Sequence, residues 1–186
     1  MLAGLRLMPN AAPEAMEIEV PTKVGPAVLP PEIVAPIAAA FAKGPQRMGD
    51  IAALPELRDL NAAELAVMLV ESHSALPMWR DVPGPGPATA AARRCTAALL
   101  DAFAREGVAT GVFGAPVPAL GSAIVATTSD LAVIAALQDG VAAEPAALAE
   151  RLLDAGAPPD VRAQGIEAIT RLLARRLFAW RMMGLV

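Results

Sequence analysis

The sequence predicts an α+β fold that is mainly helical and divided into two units, residues 1–83 and 84–186. Three observations lead to this prediction. Alternating apolar and polar residues, typical of strands, are concentrated in the first 30 residues. Most of the remaining chain has apolar residues at helical spacing, with start and stop signals. Residues 81–87 combine prolines and glycines that exclude helix and strand interiors, so the boundary is placed there.

In the first unit, residues 5–7 and 16–20 alternate in polarity, which indicates strands. Residues 22–25 suit a turn, and residues 27–29 suit a short second strand, so a hairpin is expected before residue 30. Pro31 then favours the first position of a helix, and Lys43-Gly44-Pro45 provides its end.

Two more helices are expected at residues 47–53 and 62–74. For the second of these, Asn61 and Glu64 resemble a capping box. A hairpin followed by three helices resembles a winged helix-turn-helix, for which DNA binding is one interpretation. The third helix carries Glu64 and Glu71 but no Lys or Arg, so phosphate would repel it. The alternative is a structural or protein-contact role.

The second unit predicts helices at residues 88–106, 131–138, 146–155 and 160–183. Between the first two lies an uncharged stretch, residues 107–129, that is long enough to cross a bilayer. Its glycines and prolines would leave backbone groups unpaired in lipid, so it is interpreted as a buried hairpin or loop. The last helix has an apolar seam formed by Ile166, Ile169, Leu173, Leu177 and Trp180.

Residue chemistry offers little for catalysis, because the chain contains one His, one Cys and no Tyr. A metal site needs several converging ligands, and no nucleotide-binding glycine loop or hydrolase elbow is present in the sequence. His73 is interpreted as a residue that bonds free carbonyls at a helix end, and Cys95 as a small buried apolar group. We expect no enzyme activity from this chain alone, and we assign no catalytic, cofactor-binding or metal residue.

The net charge of −4 and the aromatic content of 3% argue against a nucleic-acid partner. Only the last helix could offer a basic surface for phosphate. Its candidate interaction surface, for an anionic surface or an acidic partner, consists of Arg171, Arg175, Arg176 and Trp180. The alternative is a solvated face that complements the helix dipole. A lone Cys cannot form an internal disulfide, so a reducing, cytoplasmic location without a membrane partner is expected.

Several segments resemble one family, the bacterial methyltransferases that contain a methyltransferase regulatory domain, including bacterial protein-lysine methyltransferases. The main segment runs from Met16 through Val28 and the Pro31–Phe41 stretch to Gly44-Pro45. Shorter segments of resemblance lie at Leu2–Leu7, Arg93-Arg94, Leu99-Leu100, Gly121–Ile124, Leu172–Leu177 and Met183–Val186.

In that family, a catalytic domain that binds S-adenosylmethionine (SAM) precedes regions that resemble this chain. The glycine-rich SAM loop is missing from residues 1–186. The resemblance therefore implies a C-terminal, non-catalytic accessory module for substrate recognition, regulation or dimerisation, without a cofactor of its own. Its expected partners are a methyltransferase catalytic domain, a protein substrate or a second copy. The alternatives are a winged-helix transcriptional regulator and a stand-alone protein-interaction module that dimerises through the last helix.

Overall fold

A computed structural model describes residues 2–78, 88–108, 110–117 and 120–186. The chain divides into two compact units, Met1–Trp79 and Arg80–Val186. The boundary expected after residue 83 lies outside the described residues. Within the described ranges there are seven α-helices and three small antiparallel sheets, which confirms the predicted α+β, mainly helical class.

Unit 1 contains a three-stranded sheet, a separate hairpin and three helices. Its strands are β1 (Arg6–Pro9), β2 (Glu19–Thr22), β3 (Gly25–Val28), β4 (Gln46–Arg47) and β5 (Ala75–Met78), and its helices are α1 (Pro31–Phe41), α2 (Met48–Ala52) and α3 (Ala62–Glu71). The sheet has the order β4-β1-β5, and β2 pairs with β3. Three short 3₁₀ turns, Leu2–Gly4, Pro13–Ala15 and Pro55–Leu57, connect these elements.

The local signals of unit 1 place most of these elements correctly. The predicted hairpin forms with Thr22 opposite Gly25, and α1 begins at Pro31 as expected. Asn61 caps α3 by accepting a hydrogen bond from the Ala63 N–H at 2.8 Å. The β2–β3 hairpin is largely exposed, with Val24 at its tip 99% exposed, so packing of the rest of unit 1 defines the core.

The end of α3 differs from the prediction. The helix ends at Glu71 instead of residue 74, and His73 adopts a left-handed backbone with φ of 56°. The chain then enters β5, a strand that the sequence analysis did not predict, in which Leu76 pairs with Met8. The local sequence does not predict this strand, because it is only four residues long and contains Pro77. Pairing with β1, which is far away in the sequence, stabilises it.

The core of unit 1 is one cluster of large apolar side chains from the helices and from β1. Its completely buried members include Leu7, Ile18, Ile37, Phe41, Met48, Leu57, Leu65 and Leu69. The face of α1 that carries Ile37 and Phe41 points into this cluster, while Ala35 and Ala39 remain exposed. One side of α1 is therefore a surface of small side chains.

Unit 2 combines one hairpin with four helices, two of which pack against the hairpin. It consists of α4 (Ala90–Glu106), β6 (Val112–Val117), β7 (Ser122–Thr127), α5 (Thr128–Gln138), α6 (Pro145–Leu152) and α7 (Pro159–Met182). Helix α4 packs against β6 and α5, α5 packs against α6, and α6 packs against α7. Of the predicted α7 seam, Ile169, Leu173 and Trp180 are buried and Ile166 and Leu177 are partly buried.

The uncharged stretch forms the predicted hairpin, but only one of its faces is buried. Ile124 and Ala126 face inward, whereas Val112 and Val125 are exposed. No helix in the described ranges has the length and hydropathy needed to cross a membrane. Helix α5 begins at Thr128, three residues earlier than predicted, and α6 ends at Leu152 instead of residue 155.

Candidate functional site

An open and mostly apolar groove of about 830 Å³ lies on unit 1. It runs between α1, the base of the β2–β3 hairpin and the 3₁₀ turn Pro13–Ala15. Helix α1 and its C-cap contribute one side through residues spaced three or four apart, namely Pro31, Val34, Ala35, Ala38 and Ala39 of the helix and Ala42 at the cap. This spacing places them on one face, so the groove follows about three turns of α1.

Among the described residues that line the groove, the charged ones are Glu14 and Glu17, and both are exposed. Glu17 precedes β2, and its backbone carbonyl accepts a hydrogen bond from the Ser74 hydroxyl at 3.1 Å. The Leu29 N–H donates to the Ile18 carbonyl at 2.9 Å and closes the base of the hairpin beside the groove. The two carboxylates therefore stand on a segment that internal hydrogen bonds hold in place.

The distribution of charge agrees with this acidic groove. Residues 1–79 contain nine acidic and five basic side chains, whereas residues 80–186 contain ten of each. The whole net charge of −4 therefore belongs to unit 1, the unit that carries the groove.

Only part of the predicted basic surface on α7 is exposed to solvent. Arg171 and Arg175 are exposed, and Arg171 pairs with Glu167 at 3.4 Å between Nη1 and Oε1. Arg176 is partly buried, and Trp180 is only 1% exposed. Trp180 follows Arg171 by nine residues, or two and a half helical turns, so the two side chains lie on opposite faces of α7. Trp180 thus belongs to the buried side of α7.

His73 and Cys95 do not assemble a site. The His73 carbonyl accepts a hydrogen bond from the Asn10 side-chain amide at 2.9 Å, and the His73 N–H donates to the Val70 carbonyl at 3.1 Å. Cys95 is partly buried within α4. Within the described ranges, no three His, Cys, Asp or Glu side chains converge as a metal-binding group.

Sequence reasoning missed a polar cluster in unit 2. The buried Gln138 amide donates to the Leu185 carbonyl at 2.7 Å and to the Thr96 hydroxyl at 3.5 Å. The Arg93 guanidinium donates to the Gln138 carbonyl. Arg93, Gln138 and Arg151 line a second pocket of about 360 Å³, where Arg151 lies 3.8 Å from Asp139. These bonds tie α4, α5 and the C-terminal tail together, which is a structural role.

Comparison of the chain with models of protein families, with curated proteins and with solved structures found no match. The groove on unit 1 is therefore identified as the candidate site from its own geometry and charge.

Proposed function

We propose that this chain is a non-catalytic accessory module of a SAM-dependent methyltransferase, which serves substrate recognition, regulation or dimerisation through unit 1. One observation carries the proposal. The segment from Met16 to Phe41, which resembles the methyltransferase family, includes the hairpin and α1 and provides nine of the thirteen described residues that line the groove. The residues that resemble the family are thus largely the residues that line the groove.

In this proposal, residue chemistry assigns catalysis to another domain and recognition to this chain. The sequence contains no glycine-rich SAM loop, so a separate catalytic domain supplies SAM binding and methyl transfer. The groove offers mainly apolar contacts and two carboxylates, which suits recognition of another polypeptide.

Immunoprecipitation from source cells, with an antibody raised against this chain, tests the proposal. The precipitate is incubated with radiolabelled SAM and analysed for methyl transfer and for the mass of the antigen. We expect methyltransferase activity in the precipitate. The enzyme would be either the antigen itself, with a mass far above 19.1 kDa, or a co-precipitated catalytic subunit. An antigen of 19.1 kDa without associated activity would contradict the proposal.

Within this proposal, we infer that unit 1 is a winged-helix-like module. Three helices combined with the small sheet β4-β1-β5 and a projecting hairpin support this inference. One departure is the connection between α2 and α3, whose nine residues exceed a short helix-turn-helix turn. The exposed Glu64 and the absence of Lys and Arg from α3 disfavour a DNA-binding role for the module.

The stand-alone interaction module is the second candidate, and the same groove favours it. Dimerisation through the apolar seam of α7 receives less support, because Ile169, Leu173 and Trp180 are already buried. The mass of the native antigen separates this candidate from the methyltransferase proposal.

A further inference from the structure

We propose that the groove of unit 1 binds a cationic amphipathic helix of a partner protein. Small apolar side chains of that helix would pack on α1, and its Lys or Arg residues would face Glu14 and Glu17. The inference deepens the proposed function, since it rests on unit 1 being a recognition surface and names the class of partner.

The floor of the groove suits a helix. Ala35 and Ala39 of α1 and Ala42 at its C-cap are exposed, while Val34 and Ala38 are partly buried. Such small side chains allow a second helix to approach closely over about three turns of α1, roughly 16 Å. An apolar helix face laid into a groove is a common mode of peptide recognition.

Addition of a strand to the neighbouring hairpin is the less suitable mode. Pro21 on β2 lies opposite Pro26 on β3, so each strand lacks one backbone donor. Prolines on exposed edges oppose further strand pairing. Among the elements beside the groove, α1 is therefore the one that offers a continuous docking surface.

The charge of the groove lining indicates that the partner segment is cationic. Glu14 and Glu17 line the groove, the part of the lining that the structure describes contains no Lys or Arg, and unit 1 has a net charge of −4. The carboxylates repel anionic lipid headgroups and nucleic-acid phosphates. They attract a cationic polypeptide segment and set its orientation.

A labelled model peptide provides the probe. It is a helix of about 18 residues, or five turns, built from Leu, Ala and Lys with the Lys residues on one side. Fluorescence anisotropy measures its affinity for the full chain at about 50 mM and about 300 mM NaCl. We expect saturable binding that weakens at the higher salt, and no binding of a matched peptide in which Glu replaces Lys.

Paired variants locate the binding. Glu14→Gln with Glu17→Gln should weaken binding by roughly three- to tenfold, the effect of two exposed ion pairs. The control, Glu56→Gln with Glu71→Gln, removes the same charge at exposed positions outside the groove lining and should change affinity less than about twofold. Ala39→Arg, at an exposed position, should abolish binding by filling and charging the groove.

Three outcomes of the peptide assay would overturn the inference. These are equal losses in the two double variants, equal affinity for the Lys and Glu peptides, and unchanged affinity in a folded Ala39→Arg variant. Binding to phosphatidylglycerol vesicles that the groove variants abolish would also overturn it in favour of a membrane partner. If Ala39→Arg fails to fold by circular dichroism, the two double variants at exposed glutamates decide the question.

The peptide assay and the immunoprecipitation are read independently. Peptide binding together with an antigen of 19.1 kDa that has no associated methyltransferase activity overturns the proposed function and leaves the groove assignment intact. Methyltransferase activity without peptide binding overturns the groove assignment alone.

Discussion

Thr127 and Asp130 determine where α5 begins. The Asp130 carboxylate accepts hydrogen bonds from the Thr127 N–H at 2.6 Å and from its hydroxyl at 2.9 Å, and the Asp130 N–H donates to that hydroxyl at 3.1 Å. These reciprocal bonds satisfy backbone donors that a helix start leaves unpaired. The spacing of the two residues was present in the sequence, but the prediction began the helix at Leu131.

Replacing Thr127 tests this cap. Thr127→Ala should lower the free energy of unfolding by about 1–2 kcal/mol, because the Asp130 N–H loses its acceptor and the largely buried carboxylate loses a donor. Thr127→Ser keeps the hydroxyl and should change it by less than about 0.5 kcal/mol. Urea denaturation followed by circular dichroism measures both. Equal stabilities of the two variants would show that the cap contributes little.

The β6–β7 hairpin shows how an uncharged and mostly apolar element can still have an exposed face. Ile124 is 4% exposed, whereas its neighbour Val125 is 64% exposed, as expected from the alternation of side chains along a strand. Composition alone describes the stretch only as uncharged and mostly apolar. Its packing against α5 selects which face is buried.

Matched truncations on the two faces test this assignment. Ile124→Ala should lower the free energy of unfolding by about 2–4 kcal/mol, through lost burial and the cavity left behind. Val125→Ala should cost less than about 1 kcal/mol, because the side chain is exposed and only strand propensity changes. Urea denaturation of both variants provides the comparison. A larger cost at Val125 would mean that the hairpin buries its other face.

At the scale of the whole molecule, charge is divided unequally between the two units. Unit 1 carries the net charge of −4, and the described basic face of α7 in unit 2 includes the exposed Arg171 and Arg175. Binding to duplex DNA depends on cations that neutralise several phosphates at once. An acidic α3 in unit 1 is the opposite of what a recognition helix requires.

We therefore expect no measurable binding to a fluorescent duplex of about 20 bp, up to about 100 µM protein in about 50 mM salt. Anisotropy titration measures it. Binding that falls steeply with added salt would favour the winged-helix regulator instead. Arg171→Gln with Arg175→Gln is the accompanying variant, because a loss of such binding there would place it on α7 and not on unit 1.

The sequence predicted most helices and both hairpins of this protein, and little of the candidate site. Pro31 and Asn61 mark helix starts through backbone preferences that act within a few residues. These helix starts can therefore be predicted without a structure. The interaction surface assigned to α7 included Trp180, which is buried, since helical spacing alone does not say which face is covered. The acidic groove was not anticipated at all.

The sequence by itself determined the α+β, mainly helical class, the positions of most helices and the acidic balance, because caps, periodicity and composition act locally or additively. Only the tertiary structure decided the strand order β4-β1-β5, the existence of β5 and the groove beside α1. These features depend on contacts between residues far apart in the chain, such as Met8 with Leu76 and Ser74 with Glu17. No local pattern encodes such pairs, because each partner is selected by the packing of all the elements between them.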